Sequence, residues 1–273
     1  MTARNPSTFI VGAGRVASAL AGGLRIAGVP VLGLWARRPA AARAAAATAG
    51  VAGFSPAPPD LLLEADVVLL AVTDDAVADV AATLCATGLV GERHVLLHCS
   101  GVAPAAQVLG GVASKVGGIG TLHPLRAVVD PSAVMRTWKG TVFGIEGDAR
   151  GRAAATTLAQ RLGGTPLPLA SEAMVRYHAA AALAANYVVA VLDAAVELLR
   201  TSGIDQAAAV AALVPLAQGA LANVGQHGLA AGLTGPIRRG DAGTIERHLA
   251  AVSSDPAIDA LYRQLALRTV GLA

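Results

Sequence analysis

The 273-residue sequence has few charged residues, few aromatic side chains and only two cysteines. Charged residues make up 14% and aromatic residues 3%, and the net charge of +3 comes from basic residues dispersed among acids. Nucleic-acid binding needs a basic patch and usually aromatic stacking, so we expect no nucleic-acid partner. Cys85 and Cys99 offer neither a disulfide framework nor paired metal-ligand spacing, and the histidines lack such spacing too. We therefore expect a cytoplasmic protein without a bound metal.

Long uninterrupted apolar runs are also missing, although 54% of the residues are apolar and the mean hydropathy is +0.58. The longest run, Ala179–Leu192, is broken by Asn186 and is shorter than the roughly 20 residues that cross a bilayer. Near the N-terminus, Gly12, Gly14 and Arg15 interrupt the apolar stretch, unlike the core of a signal peptide. The sequence therefore predicts buried helices, no membrane partner and no export.

Short apolar runs alternate with alanine-rich helical stretches up to residue 169, a pattern typical of a parallel sheet with crossover helices. The last two predicted strands flank a helix at Arg152–Leu162. We predict strands at Thr8–Val11, Pro30–Trp35, Val67–Val72, His94–His98, Gly118–Leu122, Thr141–Ile145 and Thr165–Leu169. The fold class is therefore α/β, with a Rossmann-type parallel sheet as a nucleotide-binding domain over residues 1–169.

From residue 170 onward the strand signal stops, which predicts an all-helical substrate and dimerisation domain over residues 170–273. Ser171 is expected to cap a helix of about thirty residues that ends at Gly203. Asp205 should begin a second helix, Asp241 or Thr244 a third, and Asp255, followed by a proline, a fourth.

A glycine-rich turn follows the first predicted strand and precedes a helix. It has the form G-x-G-x-x-A, in which Gly12 permits the tight turn, Gly14 lets a pyrophosphate approach the backbone and Ala17 keeps the helix close to the sheet. The free N–H groups of the helix N-terminus would bind the phosphates. The alternative is a tight strand-to-helix connection without a ligand. The residues expected to bind the cofactor here are Gly12, Ala13, Gly14, Arg15 and Val16.

Arginines stand where an NAD-binding fold usually carries an acid. The second predicted strand ends in Trp35-Ala36-Arg37-Arg38, with no carboxylate to bind a ribose 2′-hydroxyl. Guanidinium groups match a 2′-phosphate in charge and geometry, so Arg37 and Arg38 favour NADP over NAD. Two solvated arginines on a loop are the alternative.

Three more segments end predicted strands at the edge of the sheet where ligands of such folds bind. Val72, Thr73 and Asp74 should border the cofactor, although Asp74 or its neighbour Asp75 could simply cap the next helix.

The other two strand ends are richer in groups that exchange protons near neutral pH. His98 is either a hydrogen-bonded core residue or a site residue, Cys99 is expected to be a small buried residue, and Ser100 follows it. His123, in a His-Pro turn, favours the site.

Polar residues also interrupt the apolar helical part of the chain. His178 and Asn186 are eight residues apart, so a regular helix would put them on one face. They either bond within the core or face a ligand cavity, because buried polar groups are costly without partners. The turn-rich segment 233–241 carries Arg238 and Arg239 and is either a solvated connection or a loop that recognises an anion.

Together these segments resemble a bacterial family of Rossmann-like proteins with a helical C-terminal domain of unknown function. The resemblance covers nearly the whole chain and rests on Gly12–Ala17, Ala71–Asp75, His98–Gly101, Leu122–Leu125, Tyr177–His178, Asn186–Tyr187 and Leu233–Asp241. That family is related to 6-phosphogluconate dehydrogenase, pyrroline-5-carboxylate reductase, prephenate dehydrogenase and ketopantoate reductase. The resemblance implies hydride transfer with NADP as cofactor.

The catalytic helix of ketopantoate reductases carries a lysine and an asparagine. In this sequence Tyr177 and His178 stand near the place of the lysine, while Asn186 matches the asparagine. Because this lysine is missing, the resemblance does not identify the reaction, although it still implies the cofactor. Residues 239–246 are loosely similar to the substrate loop of the superfamily.

The expected function is that of an NADPH-dependent reductase of a small carbonyl or imine acid. His178, or else His123, would donate the proton. Asn186 and Ser100 would orient the carbonyl or imine group, and the Arg238-Arg239 pair would hold a carboxylate. The alternative is a catalytically silent NADP-binding sensor or scaffold, which the fold alone does not exclude.

A homodimer through the helical domain is expected, because its alanine-rich helices carry more apolar surface than a small domain can hide.

Overall fold

A computed structural model of the chain describes residues 5–273. The chain divides into two compact units, of which the first ends at Ala182 and the second spans Leu183–Ala273. The boundary was predicted after residue 169, directly behind the last strand. In the structure the helical segment from residue 170 to Ala182 packs with the first unit, so the boundary lies at the end of this segment.

Within the described residues, eight strands form one sheet in the order β3-β2-β1-β4-β5-β6-β7-β8. All neighbouring pairs are parallel except β6 and β7, which are antiparallel. The Rossmann-type sheet predicted from the sequence is thereby confirmed, with one reversed pairing. The strands are β1 (Thr8–Val11), β2 (Val31–Trp35), β3 (Gly53–Phe54), β4 (Val67–Leu70), β5 (Val95–His98), β6 (Gly118–Pro124), β7 (Val142–Gly147) and β8 (Thr165–Pro168).

The central strands are apolar because both faces of the sheet are covered. Every residue of β1, β4 and β5 is buried, as expected of parallel strands between two helical layers. Successive side chains point to opposite faces, so Ile10 and Leu69 belong to one core cluster while Phe9 and Val68 belong to the other. These two cores hold the carboxyl ends of the strands in fixed positions.

Helices connect the strands of the first unit, and short 3-10 turns supplement these helices. The connecting helices are α1 (Arg15–Ile26), α2 (Pro39–Ala49), α3 (Val77–Ala86), α4 (Ala105–Leu109), α5 (Pro131–Val134) and α6 (Ala149–Arg161); α7 (Met174–Ala184) follows the last strand and extends two residues past the boundary between the units. Asp148 caps α6 by accepting a hydrogen bond from the Gly151 N–H at 2.7 Å. The expected cap by Ser171 is wrong, because a 3-10 turn, Ser171–Ala173, precedes α7 and the Ser171 hydroxyl donates to the Glu146 carboxylate instead.

The long helix expected after Ser171 is interrupted at Ala185. This residue has φ −121° and ψ −71°, outside the helical region, and α8 begins at Asn186. The eight-residue spacing of His178 and Asn186 therefore no longer places them on one face, because that argument assumed a regular helix.

The second unit is entirely helical among the described residues, as predicted. Three of its helices begin where the sequence indicated, and Asp205, Asp241 and Asp255 each accept a hydrogen bond from a backbone N–H in the first turn. The short helices that begin at Leu229 and Pro236 were not predicted. The helices are α8 (Asn186–Thr201), α9 (Gln206–His227), α10 (Leu229–Gly232), α11 (Pro236–Arg239), α12 (Ala242–Val252) and α13 (Pro256–Val270).

Two helical stretches, Ser171–Thr201 and Gln206–His227, are long and apolar enough to cross a membrane by length and composition. Only 6% of the most apolar window of each is buried within the chain. The prediction that these apolar helices are buried is therefore wrong within a single chain. Large apolar side chains on the second unit are exposed, among them Leu216 at 69% and Leu267 at 68%.

Candidate functional site

The turn between β1 and α1 is shaped as a phosphate site requires. Gly12 has φ +129°, and a Cβ there would lie 2.2 Å from the Ala71 carbonyl oxygen, so only glycine fits. Gly14 differs, since a Cβ there would meet nothing within 4 Å. Helix α1 begins after Gly14 with no side-chain cap and no acidic residue in its first turn. Its backbone N–H groups and positive dipole end can therefore receive an anion.

A cavity of about 870 Å³ lies at the carboxyl ends of β1, β2 and β4. This is the edge of the sheet at which doubly wound folds bind their ligands. The cavity walls include nine of the ten residues expected to bind the cofactor: Gly12, Ala13, Gly14, Arg15, Val16, Arg37, Arg38, Val72 and Thr73. Its volume is within the range of small-molecule and cofactor sites, roughly 300–1,000 Å³.

Arg37 and Arg38 follow β2 and are both exposed at the cavity wall. Arg38 occupies the position before α2, whose first residue is a proline. No carboxylate pairs with either guanidinium among residues 5–273. Both groups can therefore bind a phosphate without breaking an ion pair.

Asp74 is not part of the cavity wall in the described chain. It begins the short 3-10 turn Asp74–Ala76, and no side-chain cap is formed there, so the interpretation of Asp74 as a helix cap is wrong. Its charge acts on His98 and His123, where it opposes the effect of burial on the pKa. Asp74 thus lies near the strand ends that carry the histidines.

His98 ends β5 as a fully buried side chain. Its Nδ1 accepts a hydrogen bond from the Ser100 N–H at 3.2 Å, and its Nε2 lies 2.9 Å from the Thr121 hydroxyl. Burial lowers the pKa of His98 to about 4, while the charges of Glu146 and Asp74 act in the opposite direction. His98 is therefore a neutral, hydrogen-bonded core histidine beneath the site.

His123, Tyr177 and His178 come together in the first unit. The Tyr177 hydroxyl lies 2.9 Å from His123 Nδ1, and the rings of His123 and His178 meet edge to face with their centroids 5.9 Å apart. Gly101 also packs directly on the His123 ring, since a Cβ there would lie 2.7 Å from His123 Nε2. His178 is exposed, whereas His123 and Tyr177 are half-buried.

Burial determines the protonation states of this group. It lowers the pKa of His123 to about 4, with the neighbouring His178 acting in the same direction. It raises the pKa of Tyr177 to about 12, against a smaller opposite effect of a backbone hydrogen bond with Gly144. At neutral pH the imidazole of His123 is therefore uncharged and the hydroxyl of Tyr177 keeps its proton.

Ser100 is buried, with 5% of its surface exposed. Its hydroxyl oxygen accepts a hydrogen bond from the Val102 N–H at 3.4 Å, and among residues 5–273 its own proton has no acceptor. Cys99 beside it keeps its thiol protonated, because burial raises its pKa to about 12.

The other predicted site residues belong to the second unit. Asn186 is the first residue of α8 and is exposed. Arg238 and Arg239 end α11, and the Arg238 guanidinium donates to the carbonyl oxygen of Ala273. Their roles stay predictions.

Sequence reasoning missed three residues that connect to His98 through hydrogen bonds: Thr121 and Glu146, whose bonds are buried, and Ser171, whose bond to Glu146 is partly buried. The sequence does contain one signal for Glu146, which is the only charged residue in the otherwise apolar strand β7. A buried carboxylate is costly without partners, so its presence there indicates a hydrogen-bonded role.

Comparison with known proteins agrees with this arrangement. Residues 8–95 match the family model described as NADP oxidoreductase, coenzyme F420-dependent, and residues 141–269 match a domain of unknown function, DUF2520. No curated protein sequence matches the chain.

Solved structures share the fold at low sequence identity. A candidate NADP oxidoreductase from Bacteroides fragilis is 23% identical, with 97% of this chain and 98% of that chain covered and a TM-score of 0.73. A protein from Thermotoga maritima is also 23% identical, with the same coverage and a TM-score of 0.75. A reductive aminase from Aspergillus terreus, in complex with NADPH and ethyl-5-oxohexanoate, is 20% identical over 98% of this chain and 94% of that chain, with a TM-score of 0.68. The chain therefore combines a region similar to the NADP oxidoreductase model, residues 8–95, with a region similar to DUF2520, residues 141–269.

Proposed function

We propose that the chain is an NADP(H)-dependent oxidoreductase that transfers hydride to or from a small carbonyl or imine acid. The observation that carries the proposal is the cavity at the strand ends, which combines the Gly12–Gly14 turn with Arg37 and Arg38. The match of residues 8–95 to an NADP oxidoreductase model supports it. The fold shared with a reductive aminase that binds NADPH is consistent with this class of reaction.

Three segments that line the cavity can each be matched to one part of an NADP molecule. Gly14 leaves open space at the start of α1, where the backbone N–H groups can bind a pyrophosphate. Arg37 and Arg38 suit a 2′-phosphate, for which NADH has no counterpart. Val72 and Thr73, after β4, border the same cavity. When bound, the nicotinamide supplies or accepts the hydride.

The chain itself has to supply the proton. His178 is the better donor, because it is exposed and lies beside His123. His123 is uncharged at neutral pH and suits the role of a hydrogen-bond partner that holds the Tyr177 hydroxyl. The Ser100 hydroxyl has a free proton with which it can orient a carbonyl or imine group.

Two measurements test this proposal. Calorimetric titration should show tighter binding of NADPH than of NADH, and equal or reversed affinities would remove the basis for NADP. Purified protein should then oxidise NADPH in the presence of a member of a panel of 2-oxo acids and cyclic imines. Binding of NADPH without turnover on any of them would indicate a sensor rather than an enzyme.

We also propose a cytoplasmic homodimer that forms through the second unit. The helices of this unit expose apolar side chains, Leu216 among them. The same surface on a second copy of the chain could bury them in a symmetric interface. Light scattering after size exclusion should give a dimer from the soluble fraction. Leu216→Glu should weaken the dimer, whereas Val129→Glu, at a similarly exposed position of the first unit, should not. A monomer, or a protein found only with membranes, would contradict this assembly.

A further inference from the structure

A row of buried polar side chains crosses the sheet beneath the candidate site. Strand register aligns His98 of β5 with Thr121 of β6, and Thr121 with Glu146 of β7. The three side chains are almost completely buried, with exposures of 0%, 0% and 4%. Cross-strand neighbours on one face are close enough to bond, and the Thr121 hydroxyl lies 2.9 Å from His98 Nε2 and 3.5 Å from Glu146 Oε2.

The Glu146 carboxylate is surrounded by hydrogen-bond donors. Its Oε2 accepts a hydrogen bond from the Ala105 N–H at 2.7 Å, and its Oε1 accepts one from the Ser171 hydroxyl at 2.6 Å. The Thr121 hydroxyl provides a third, longer bond. A buried carboxylate is costly unless such donors satisfy it. Because Glu146 Oε2 already accepts a hydrogen bond from the Ala105 N–H, it is also the acceptor for Thr121, and the Thr121 proton points toward Glu146.

The direction of these bonds fixes the tautomer of His98. The Ser100 N–H can only donate, so His98 Nδ1 must be the acceptor without a proton. A neutral imidazole then carries its proton on Nε2, which donates to the Thr121 oxygen. The order of donation is therefore His98 to Thr121 to Glu146.

The far end of this row holds part of the candidate site. His98 bonds to the backbone of Ser100 and thereby fixes the turn that follows β5. The next residue, Gly101, packs on the ring of His123, which in turn bonds to Tyr177. In the other tautomer His98 Nδ1 would carry a proton and would face the Ser100 N–H, which is also a donor. The repulsion between these two N–H groups would displace the turn.

We propose that Glu146 is a positioning residue of this site, which acts through Thr121 and His98 to hold the Ser100–Gly101 turn against His123. The inference rests on the proposed function, because this position matters for catalysis only if His123 and its neighbours border the reacting group. Thr121 and Glu146 lie outside the walls of the cofactor cavity in the described chain. The row should therefore affect turnover without affecting the binding of NADPH.

Thr121→Val tests the proposal, because it removes the hydroxyl and keeps the shape of the side chain. In protein with ¹⁵N-labelled histidine, NMR of the wild type should show a protonated Nε2 and an unprotonated Nδ1 for His98. Thr121→Val removes the acceptor of the Nε2 proton, so the variant should change this pattern and shift the ring signals of His123. Its kcat should fall about 10- to 100-fold, the effect of a small displacement at a reacting centre, while the Kd for NADPH stays the same.

Thr121→Ser provides the rescue, because it restores the hydroxyl and should restore the His98 pattern and kcat. Thr83→Val makes the same change at an exposed position of α3 and should alter neither. If Thr121→Val does not fold, Thr121→Cys offers a weaker acceptor of similar size and should change the same signals.

The outcomes separate this inference from the proposed function. Wild-type His98 and His123 signals together with wild-type kcat in folded Thr121→Val would overturn the positioning role. Absence of turnover in the wild-type protein would instead count against the proposed function, and the His98 and His123 signals of the variants would still decide whether the row positions the turn.

Discussion

Replacing Gly14 with valine should separate cofactor binding from folding. The backbone at Gly14, with φ −77° and ψ 176°, is open to any residue, and a Cβ there meets nothing within 4 Å. The cost to stability should be about 1 kcal/mol or less, from the loss of a favourable residue before α1. The valine methyl groups would instead occupy the space in which a phosphate approaches the backbone.

The loss of binding can be assessed from the hydrogen bonds at stake. A bond between a backbone N–H and a charged phosphate contributes about 1.5–3 kcal/mol. Loss of two such bonds would cost about 3–6 kcal/mol, which corresponds to roughly 10²–10⁴-fold in Kd. Calorimetry with NADPH measures this loss, and urea unfolding of the same protein measures stability.

Two other glycines serve as comparisons. Gly12→Val should destabilise the fold itself, because its φ of +129° and the Ala71 carbonyl oxygen at 2.2 Å leave no room for a side chain. Gly111→Val places the same side chain at an exposed position with nothing within 4 Å and should change neither property. Normal NADPH binding by Gly14→Val would refute the reasoning, since the turn would then be a structural connection only.

Three further predictions concern charge, catalysis and pH. Arg37→Gln and Arg38→Gln should each weaken NADPH binding about tenfold and leave NADH binding unchanged in fluorescence titrations; equal losses for both cofactors would contradict a 2′-phosphate site. His178→Gln should lower kcat about 10²–10⁴-fold at unchanged Tm and NADPH affinity, and a destabilised but fully active variant would show that His178 is structural. Burial lowers the pKa of His98 and His123 to about 4, against about 6.5 in the unfolded chain. The unfolded chain therefore binds more protons between these values, so the free energy of unfolding should decrease as the pH falls from about 6.5 to about 4; equal stability at the two ends of this range would contradict the buried, uncharged state.

Local signals in the sequence predicted much of the fold. Asp205, Asp241 and Asp255 mark helix starts correctly because each cap involves a backbone N–H only two or three residues away. The central strands were predictable because burial on both faces requires continuous apolar runs. The direction in which a strand runs could not be predicted, because an apolar strand has the same composition either way. The antiparallel pairing of β7 (Val142–Gly147) with β6 was therefore not predicted. The two-residue strand Gly53–Phe54 was too short to give a pattern.

The candidate site was only partly predictable, because some of its residues are contiguous in the sequence whereas others come from separate strands. The cofactor turn is contiguous, and its residues line the cavity as expected. Glu146 acts on His98 through contacts between strands, which no spacing in the sequence reveals. The interruption at Ala185 was equally hidden, since alanines precede it and an ordinary helical sequence follows.

The most direct test of the account is to follow the hydride itself. NADPH deuterated at the transferring position of the nicotinamide is incubated with the protein and each member of the panel of 2-oxo acids and cyclic imines, and the products are analysed by mass spectrometry. The account predicts that a reduced product of one of these compounds carries the deuterium. NADPH that binds but remains unoxidised with every compound, or that is consumed without deuterium in any product, would contradict it.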